Sequence, residues 1–233
     1  MTSAKKIEKR LKSLGDAEKA AHALRFFKTG PGQYGEGDLF LGIRMPVIRQ
    51  LAKELIDTPL DDAAELLQSP IHEARMLALI IMVYQAKRGD ASSPLYRAYL
   101  ANTAKINNWG LVDVTAEHLV GAHLFERSRK PLYKLAKSKS LWERRIAIIS
   151  TFYFIRRNDF DDTLQIAEIL LNDTEDLMHK AVGWMLREVG NRDLATEEAF
   201  LLPRYQQMPR TMLRYAIERF PEPLRLAYLK GNI

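Results

Sequence analysis

The sequence predicts an all-α protein, an α-α superhelix built from stacked helical repeats. Apolar residues recur with helical periodicity from end to end of the 233-residue chain, and no convincing strand pattern interrupts them. Short breaks rich in Pro, Gly, Asn and Asp separate the helical stretches. These breaks fall at Thr58-Pro59, Ser69-Pro70, Gly89-Asp90, Asn107-Asn108, Lys130-Pro131, Asn158-Asp159 and Asn172-Asp173.

A local pattern also recurs at a nearly fixed interval. A basic residue opens an apolar helix at Arg75, Arg145, Lys180 and Arg214, and these positions lie 70, 35 and 34 residues apart. The first step is two periods, and its missing midpoint falls at Gly110, where another helical stretch opens. Five two-helix repeats therefore account for most of residues 60–220, which indicates HEAT-like stacking.

Small residues follow each basic position, where neighbouring helices of a solenoid must approach closely. They are Ala78, Ala147, Gly183 and Ala216. The second helices would line one concave surface, and the basic positions would form a stripe along it that suits a phosphate backbone. The alternative is that each basic side chain bonds carbonyl groups of a neighbouring repeat, and the pattern fits both interpretations.

We expect the elements to form one domain over residues 1–233. A helical pair occupies about residues 1–30, a Gly- and Pro-rich loop spans 29–37, and stacked repeats cover about 44–230. The loop is a candidate mobile lid or surface tether. Because no self-complementary apolar stripe is evident, a monomer is expected.

Composition narrows the function classes. Thirty-five Lys and Arg against 29 Asp and Glu give a formal charge of +6, which favours a polyanionic partner such as nucleic acid. The absence of cysteine excludes disulfides and thiolate metal sites, and the five histidines form no HxH or HxxxH pair, so neither metal nor cofactor is expected. No signal peptide or long apolar run is present, which predicts a cytoplasmic protein that does not span a membrane.

Four residues form a candidate catalytic set. Trp109 and Asp113 are four residues apart and share one helix face, while Trp184 lies four residues after Lys180 on the equivalent helix two repeats later. Arg145 occupies the basic position of the repeat between them. The alternative is structural: the tryptophans would be core residues, and Asp113 and Arg145 an ion pair between repeats.

This set suits cleavage of a glycosidic bond whose leaving group is already cationic. Such a group departs without a general acid and leaves an oxocarbenium-like sugar. Asp113 would stabilise that cation and orient a water, and the two indole faces would attract cationic groups. Arg145 would clamp a phosphate or position Asp113.

A second basic zone runs from Arg127 to Arg145. It holds eight Lys and Arg residues and one acid, Glu143. Such a run is often only a solvated face, but it leads directly into Arg145, and we expect it to contact phosphate. His72 is expected to be a hydrogen-bonding residue near a helix start and not a base.

At these motifs the sequence resembles the AlkD-type DNA alkylation-repair family of HEAT-like-repeat glycosylases over nearly its whole length. The similarity rests on Phe40–Gln50 (FLGIRMPVIRQ), Trp109–Asp113 (WGLVD), Arg145–Ile148 (RIAI) and Lys180–Glu188 (KAVGWMLRE). The resemblance implies excision of 3-methyladenine and 7-methylguanine from duplex DNA held in a concave groove, with no cofactor and without inserting the base into a pocket.

The resemblance also assigns roles to individual residues. It makes Asp113 the catalytic carboxylate, Trp109 and Trp184 the indoles that cradle the damaged nucleotide, and Arg145 the supporting arginine. The implied DNA-binding residues are Lys180, Arg187, Arg44, Arg49, Phe26 and Arg214. Phe26 stands where relatives have a tyrosine that contacts DNA, and Asn108 and Gly110 also depart from the family pattern, which bears on substrate range.

Two other functions are compatible with a basic helical repeat. A non-catalytic protein that binds damaged or branched DNA would need only the basic groove and could lose Asp113. A scaffold for another protein would have an apolar or acidic concave face and would bind independently of salt. The retained carboxylate argues against the first, and the recurring basic positions argue against the second.

Overall fold

The computed structural model describes residues 3–233, and their regular structure is helical apart from one isolated parallel bridge between Leu39 and Ile71. The described residues group into two compact units, with the boundary along the chain between Leu119 and Val120. The first unit contains seven α-helices within its described residues: α1 (Ser3–Lys12), α2 (Ala17–Phe26), α3 (Met45–Glu54), α4 (Leu60–Leu66), α5 (His72–Arg88), α6 (Ser92–Ala101) and α7 (Trp109–Asp113).

Local sequence explains where these helices begin and end. Asp16 caps α2 by accepting a hydrogen bond from the Lys19 amide, and a proline lies in the first turn of α3. Gly89 ends α5 in the left-handed conformation, with φ of 102°. Helix α5 is buried on nearly every side and forms the centre of the first unit, packed against α3 and α4.

The segment between α2 and α3 is a series of turns that is fixed to α5. The carboxylate of Glu73 accepts hydrogen bonds from the backbone amides of Leu41, Gly42 and Ile43 at 2.8 to 3.3 Å. Gly42 has φ of 75°, and a Cβ there would lie 2.5 Å from the amide nitrogen of Ala20. Only glycine therefore allows this turn to pack against the start of α2.

A π-helical turn at Glu117–Gly121 spans the boundary along the chain, and the second unit is also helical. Its α-helices are α8 (Ala122–Leu124), α9 (Lys130–Ala136), α10 (Leu141–Ser150), α11 (Phe152–Ile155), α12 (Asp161–Ile169), α13 (Asp176–Gly190), α14 (Leu194–Leu201), α15 (Arg210–Ala216) and α16 (Glu222–Lys230). Short 3-10 turns occur at Thr103–Lys105 in the first unit and at Ile217–Arg219 in the second.

The predicted repeat positions fall at equivalent places in successive helices. Arg145, Lys180 and Arg214 are each the fifth residue of their helix, and Arg75 is the fourth residue of α5. The expected close helix approach is confirmed at Gly183, where a Cβ would lie 2.6 Å from the Cβ of Tyr215. Helices α13 and α15 pack tightly because this residue has no side chain.

Among residues 3–233, no helix combines the length and apolar character needed to cross a bilayer.

Candidate nucleic-acid interface

Trp109 is held by aromatic and polar contacts within the first unit. Its indole Nε1 donates a hydrogen bond to the hydroxyl of Tyr34 at 3.0 Å. Its ring lies 5.7 Å from the ring of Phe26 in an edge-to-face arrangement and 5.3 Å from that of Phe27. Phe26 is 57% exposed, so the predicted DNA-binding residue does lie beside this tryptophan at the surface.

Asn108 and Gly110, two of the three residues that we expect to depart from the family pattern, lie at the start of α7. Asn108 is fully buried and caps the helix by accepting a hydrogen bond from the Gly110 amide at 2.8 Å. A Cβ on Gly110 would lie 3.4 Å from the ring of Phe27. This distance is an ordinary van der Waals contact, so Gly110 lies directly beside the ring of Phe27 that packs on Trp109.

Asp113 ends the same helix and is half-buried. Leu111 and Val112, between it and Trp109, are fully buried and fix α7 in the first unit. Thr115, just after the helix, donates to the carbonyl of Leu111 at 2.6 Å and lies 3.1 Å from the buried Tyr99 hydroxyl. Both predicted groups, the Trp109 indole and the Asp113 carboxylate, are thus carried by one short, anchored helix.

A buried polar network secures the segment before α7. Arg75 is 3% exposed, and its Nη2 lies 2.8 Å from Asp38 Oδ2 and donates to Asn107 Oδ1 at 3.1 Å. Asn107 in turn donates to Asp38 Oδ1 at 3.2 Å. Arg75 Nη1 also donates to the carbonyl of Ser69 at 3.0 Å. The predicted phosphate-binding role is therefore wrong for Arg75, which binds a carbonyl, a carboxylate and an amide of its own chain. The alternative interpretation, which expects carbonyl contacts, accounts for the first of these three.

His72 and Asp38 meet in the same network. Burial disfavours ionisation of Asp38, but contacts with His72, Arg75 and Asn107 outweigh it and hold the pKa of this carboxyl below its ordinary value. His72 is buried, and its ring stacks on Phe40 with centroids 4.6 Å apart. Its position early in α5 agrees with a structural role.

Arg44 is the N-cap residue of α3 and Arg49 is the fifth residue of that helix, and both are exposed. Arg44 borders an open, largely apolar cavity of about 400 Å³ between α2, α3 and α5. Phe27, which packs on Trp109, also lines this cavity. The first unit therefore places Phe26, Trp109 and Arg44 around one group of aromatic side chains.

In the second unit, Arg145 is 5% exposed and donates a hydrogen bond to the carbonyl of Leu177. Leu177 is the second residue of α13, so Arg145 supports the start of the helix that carries Lys180 and Trp184. This burial favours a positioning role over a direct phosphate clamp. Lys180 forms an ion pair with Asp176 at 2.7 Å, and this contact raises the lysine pKa.

Trp184 is half-buried on α13. Its Nε1 donates to Glu188 Oε1 at 2.9 Å, and its ring meets that of Phe152 edge-on with centroids 5.8 Å apart. Arg187, three residues on, pairs with Glu218. Arg214 is exposed on α15.

The arginines of the second basic zone bind groups of the protein itself. Arg127 donates to the carbonyl of His123 at 2.7 Å, and Arg145 donates to that of Leu177. Arg129 and Arg144 are committed to acids: Arg129 lies 2.7 Å from Asp159, and Arg144 lies 2.6 Å from Asp173. The four lysines of the zone are exposed. They are Lys130, Lys134, Lys137 and Lys139.

The described part of the chain consists of successive helices, and a basic residue recurs at the fourth or fifth position of α5, α10, α13 and α15. This arrangement places the protein in the class of all-helical repeat proteins. The family model described as DNA alkylation repair enzyme matches residues 7–220. The chain belongs to this DNA alkylation repair family.

Solved structures support the fold assignment. A predicted DNA alkylation repair enzyme from Enterococcus faecalis is 18% identical, with a TM-score of 0.70 over 89% of this chain and 97% of its own. AlkD2 from Streptococcus mutans is also 18% identical, with a TM-score of 0.54 over 94% of this chain and 100% of its own. No curated protein sequence matches. The predicted all-α, HEAT-like repeat fold is confirmed.

Sequence reasoning did not identify several residues that hold the candidate groups. Tyr34 lies 75 positions from its partner Trp109, and Asp38 lies 69 positions from Asn107. Glu188 is the last residue of the Lys180–Glu188 motif, and the motif alone does not predict that it holds the Trp184 indole. Tyr34 and Asp38 stand out in the sequence only as a tyrosine and an aspartate in or beside a Gly-rich loop. They belong to no repeating pattern, so the sequence does not indicate which residues they contact.

Proposed function

We propose that the protein is a DNA glycosylase that hydrolyses the N-glycosidic bond of cationic alkylated purines, such as 3-methyladenine and 7-methylguanine, in duplex DNA. The observation that carries this proposal is the pairing of Trp109 and Asp113, both half-buried, on one anchored helix. Membership in the DNA alkylation repair family supports DNA as the substrate.

The chemistry follows from the charge of the leaving group. When the C–N bond breaks, a cationic base takes the bonding electron pair and departs neutral, so no general acid is required. The sugar acquires oxocarbenium character, which the Asp113 carboxylate stabilises. A water oriented by Asp113 adds to the anomeric carbon and gives up its proton to that carboxylate or to solvent.

The indoles supply a surface for a cationic nucleotide. The face of Trp109 attracts positive charge, and such contacts contribute about 0.5 to 2 kcal/mol. The hydrogen bond to Tyr34 fixes this ring before the substrate binds, which reduces the entropy lost on binding. We assign the same role to Trp184, fixed by Glu188, and a positioning role to Arg145.

We assign backbone binding to the remaining predicted cations. Lys180 and Arg187 already pair with Asp176 and Glu218, whose side chains are 60% and 53% exposed. Such solvated pairs are worth at most about 1 kcal/mol, so a phosphate can replace the carboxylate. The other assigned contacts are Arg44, Arg49, Phe26 and Arg214, all exposed.

The test is single-turnover release of 7-methylguanine from methylated duplex DNA by the native protein and by Asp113→Asn. The variant keeps the size of the side chain and removes its charge. We expect its rate to fall by about 100-fold or more while binding to undamaged duplex is retained. Asp61→Asn, which removes an exposed carboxylate on α4, is the matched control and should release base at the native rate.

Two outcomes would contradict the proposal. Release at the native rate by Asp113→Asn would remove the carboxylate from the mechanism. Salt-dependent duplex binding by the native protein without base release would instead indicate a non-catalytic DNA-binding protein.

A further inference from the structure

A second polar surface lies beside Trp184 and belongs to none of the predicted sites. It is a pocket of about 450 Å³ between the end of α11 and the end of α13, entirely within the second unit. Its lining residues are Phe152, Arg156, Asn158, Glu188, Asn191 and Arg192.

The pocket adjoins the candidate indole through two of its walls. The ring of Phe152 meets the Trp184 ring edge-on, and Glu188 accepts the hydrogen bond from Trp184 Nε1. The Arg156 guanidinium lies over the Phe152 ring, 4.3 Å from its centre. Arg156, Phe152 and Trp184 therefore form one continuous cation and aromatic arrangement.

The other side of the pocket is fixed by a contact between the two chain segments. Arg192 Nη1 donates to Asn158 Oδ1 at 3.3 Å. Asn158 has φ of 60°, a left-handed backbone that turns the chain sharply after α11. This turn brings Asn158 to Arg192, so both arginines border the same space.

The charge of the lining favours an anion. Two guanidinium groups and two side-chain amides face one carboxylate, that of Glu188. Its Oε1 accepts from Trp184 and lies 3.9 Å from Arg187 Nη2, and its Oε2 accepts from Asn191 Nδ2 at 3.3 Å, so the negative charge of Glu188 is already offset by groups of the protein. A guanidinium is planar and has several donors, and it binds the oxygens of an anionic phosphate more strongly than it binds a neutral ligand.

We propose that this pocket binds a phosphodiester group of duplex DNA, close to the nucleotide that contacts Trp184, with Arg156 and Arg192 as the binding residues. This inference rests on the proposed DNA-binding function and extends the interface beyond the motif residues. The aromatic contacts of Arg156 hold one guanidinium in place, so less side-chain freedom is lost when phosphate binds.

The test measures affinity for an undamaged duplex as a function of salt for the native protein, Arg156→Gln and Arg192→Gln. Each variant should reduce the magnitude of the slope of log K against log salt by about 0.9. If the contact contributes only counterion release, the variant and the native protein bind the duplex equally at about 1 M salt. At about 0.1 M salt the variant then binds about eightfold more weakly than the native protein. Arg225→Gln is the matched control, since Arg225 lies on α16, outside the pocket lining and outside the assigned DNA contacts, and it should keep the native slope.

The outcomes separate this inference from the proposed function. A native slope in both pocket variants, with duplex binding and base release intact, would overturn the pocket and leave the glycosylase standing. A pocket for free phosphate would also overturn it: inorganic phosphate at matched ionic strength would raise the melting temperature of the native protein but not of Arg192→Gln, and the duplex slope would not change. Absence of base release with reduced slopes in both variants would refute the glycosylase and support the pocket.

Discussion

Glu197→Gln should stabilise the protein at neutral pH, because the native carboxyl is buried without compensation. Glu197 lies on α14, is 1% exposed and packs against Gly190 of α13. Its Oε1 has no hydrogen-bond partner within residues 3–233. Burial raises the pKa of this carboxyl to about 9, although the charge of Arg187 partly opposes the shift.

The sign and the size of the effect follow from proton linkage. Between pH 4.5 and pH 9 the unfolded chain loses the Glu197 proton while the folded protein keeps it, so rising pH favours unfolding. The free energy of unfolding therefore falls by about 1.4 kcal/mol per pH unit from this group. At pH 7 the accumulated loss is about 3 kcal/mol, and a glutamine at the same position does not incur it.

Urea denaturation followed by far-UV circular dichroism between pH 4.5 and 8.5 measures this difference. Glu197→Gln and the native protein should have similar stability near pH 4.5 and diverge steadily above it. Asp61→Asn, which removes an exposed carboxylate on α4, is the control and should run parallel to the native protein. A difference between Glu197→Gln and the native protein that stays constant across this range would refute the reasoning, since it would mean that Glu197 is ionised in the folded state.

Two further predictions concern the first unit. Tyr34→Phe removes the hydrogen bond from Trp109 Nε1 and should lower the free energy of unfolding, measured in urea, by about 1 kcal/mol. Base release should also be slower. Unchanged stability and unchanged release would mean that this contact does not hold the indole. Asp38→Asn leaves the buried Arg75 without its anion and should cost about 3 kcal/mol at pH 7. The cost should become smaller on acidification, as the native carboxyl also takes up a proton. Because the native pKa of Asp38 is lowered, its stabilisation is present at neutral pH and is lost on acidification; a cost that does not change with pH would contradict this assignment.

The helical fold was predictable because its packing repeats in the sequence. A residue that must lie against the next helix recurs once per repeat, and Gly183 is small because α15 approaches it. The same regularity located Lys180 and Trp184 on one helix face. Periodicity reports which side of a helix is packed, and this information was sufficient for the fold class. The candidate DNA-binding residues rested on the family resemblance instead.

Periodicity did not reveal what each basic residue binds. Arg75 and Arg214 occupy similar positions, the fourth and the fifth residue of their helices, yet Arg75 is buried against Asp38 while Arg214 is exposed. A basic side chain at this position can donate to a carbonyl or carboxylate of its own chain or to a phosphate of a ligand. The difference depends on Asp38, which lies in a turn without periodic structure, and so it is visible only in three dimensions.

The candidate catalytic helix shows why local pattern and tertiary contact are both needed. The four-residue spacing of Trp109 and Asp113 predicts a shared face, but a helix of five residues is too short to be stable alone. Its geometry depends on the Asn108 cap at one end and on Thr115 at the other. Because these contacts exist before any ligand binds, the indole and the carboxylate keep a fixed spacing, which is the condition for a carboxylate to stabilise charge that develops only in the transition state.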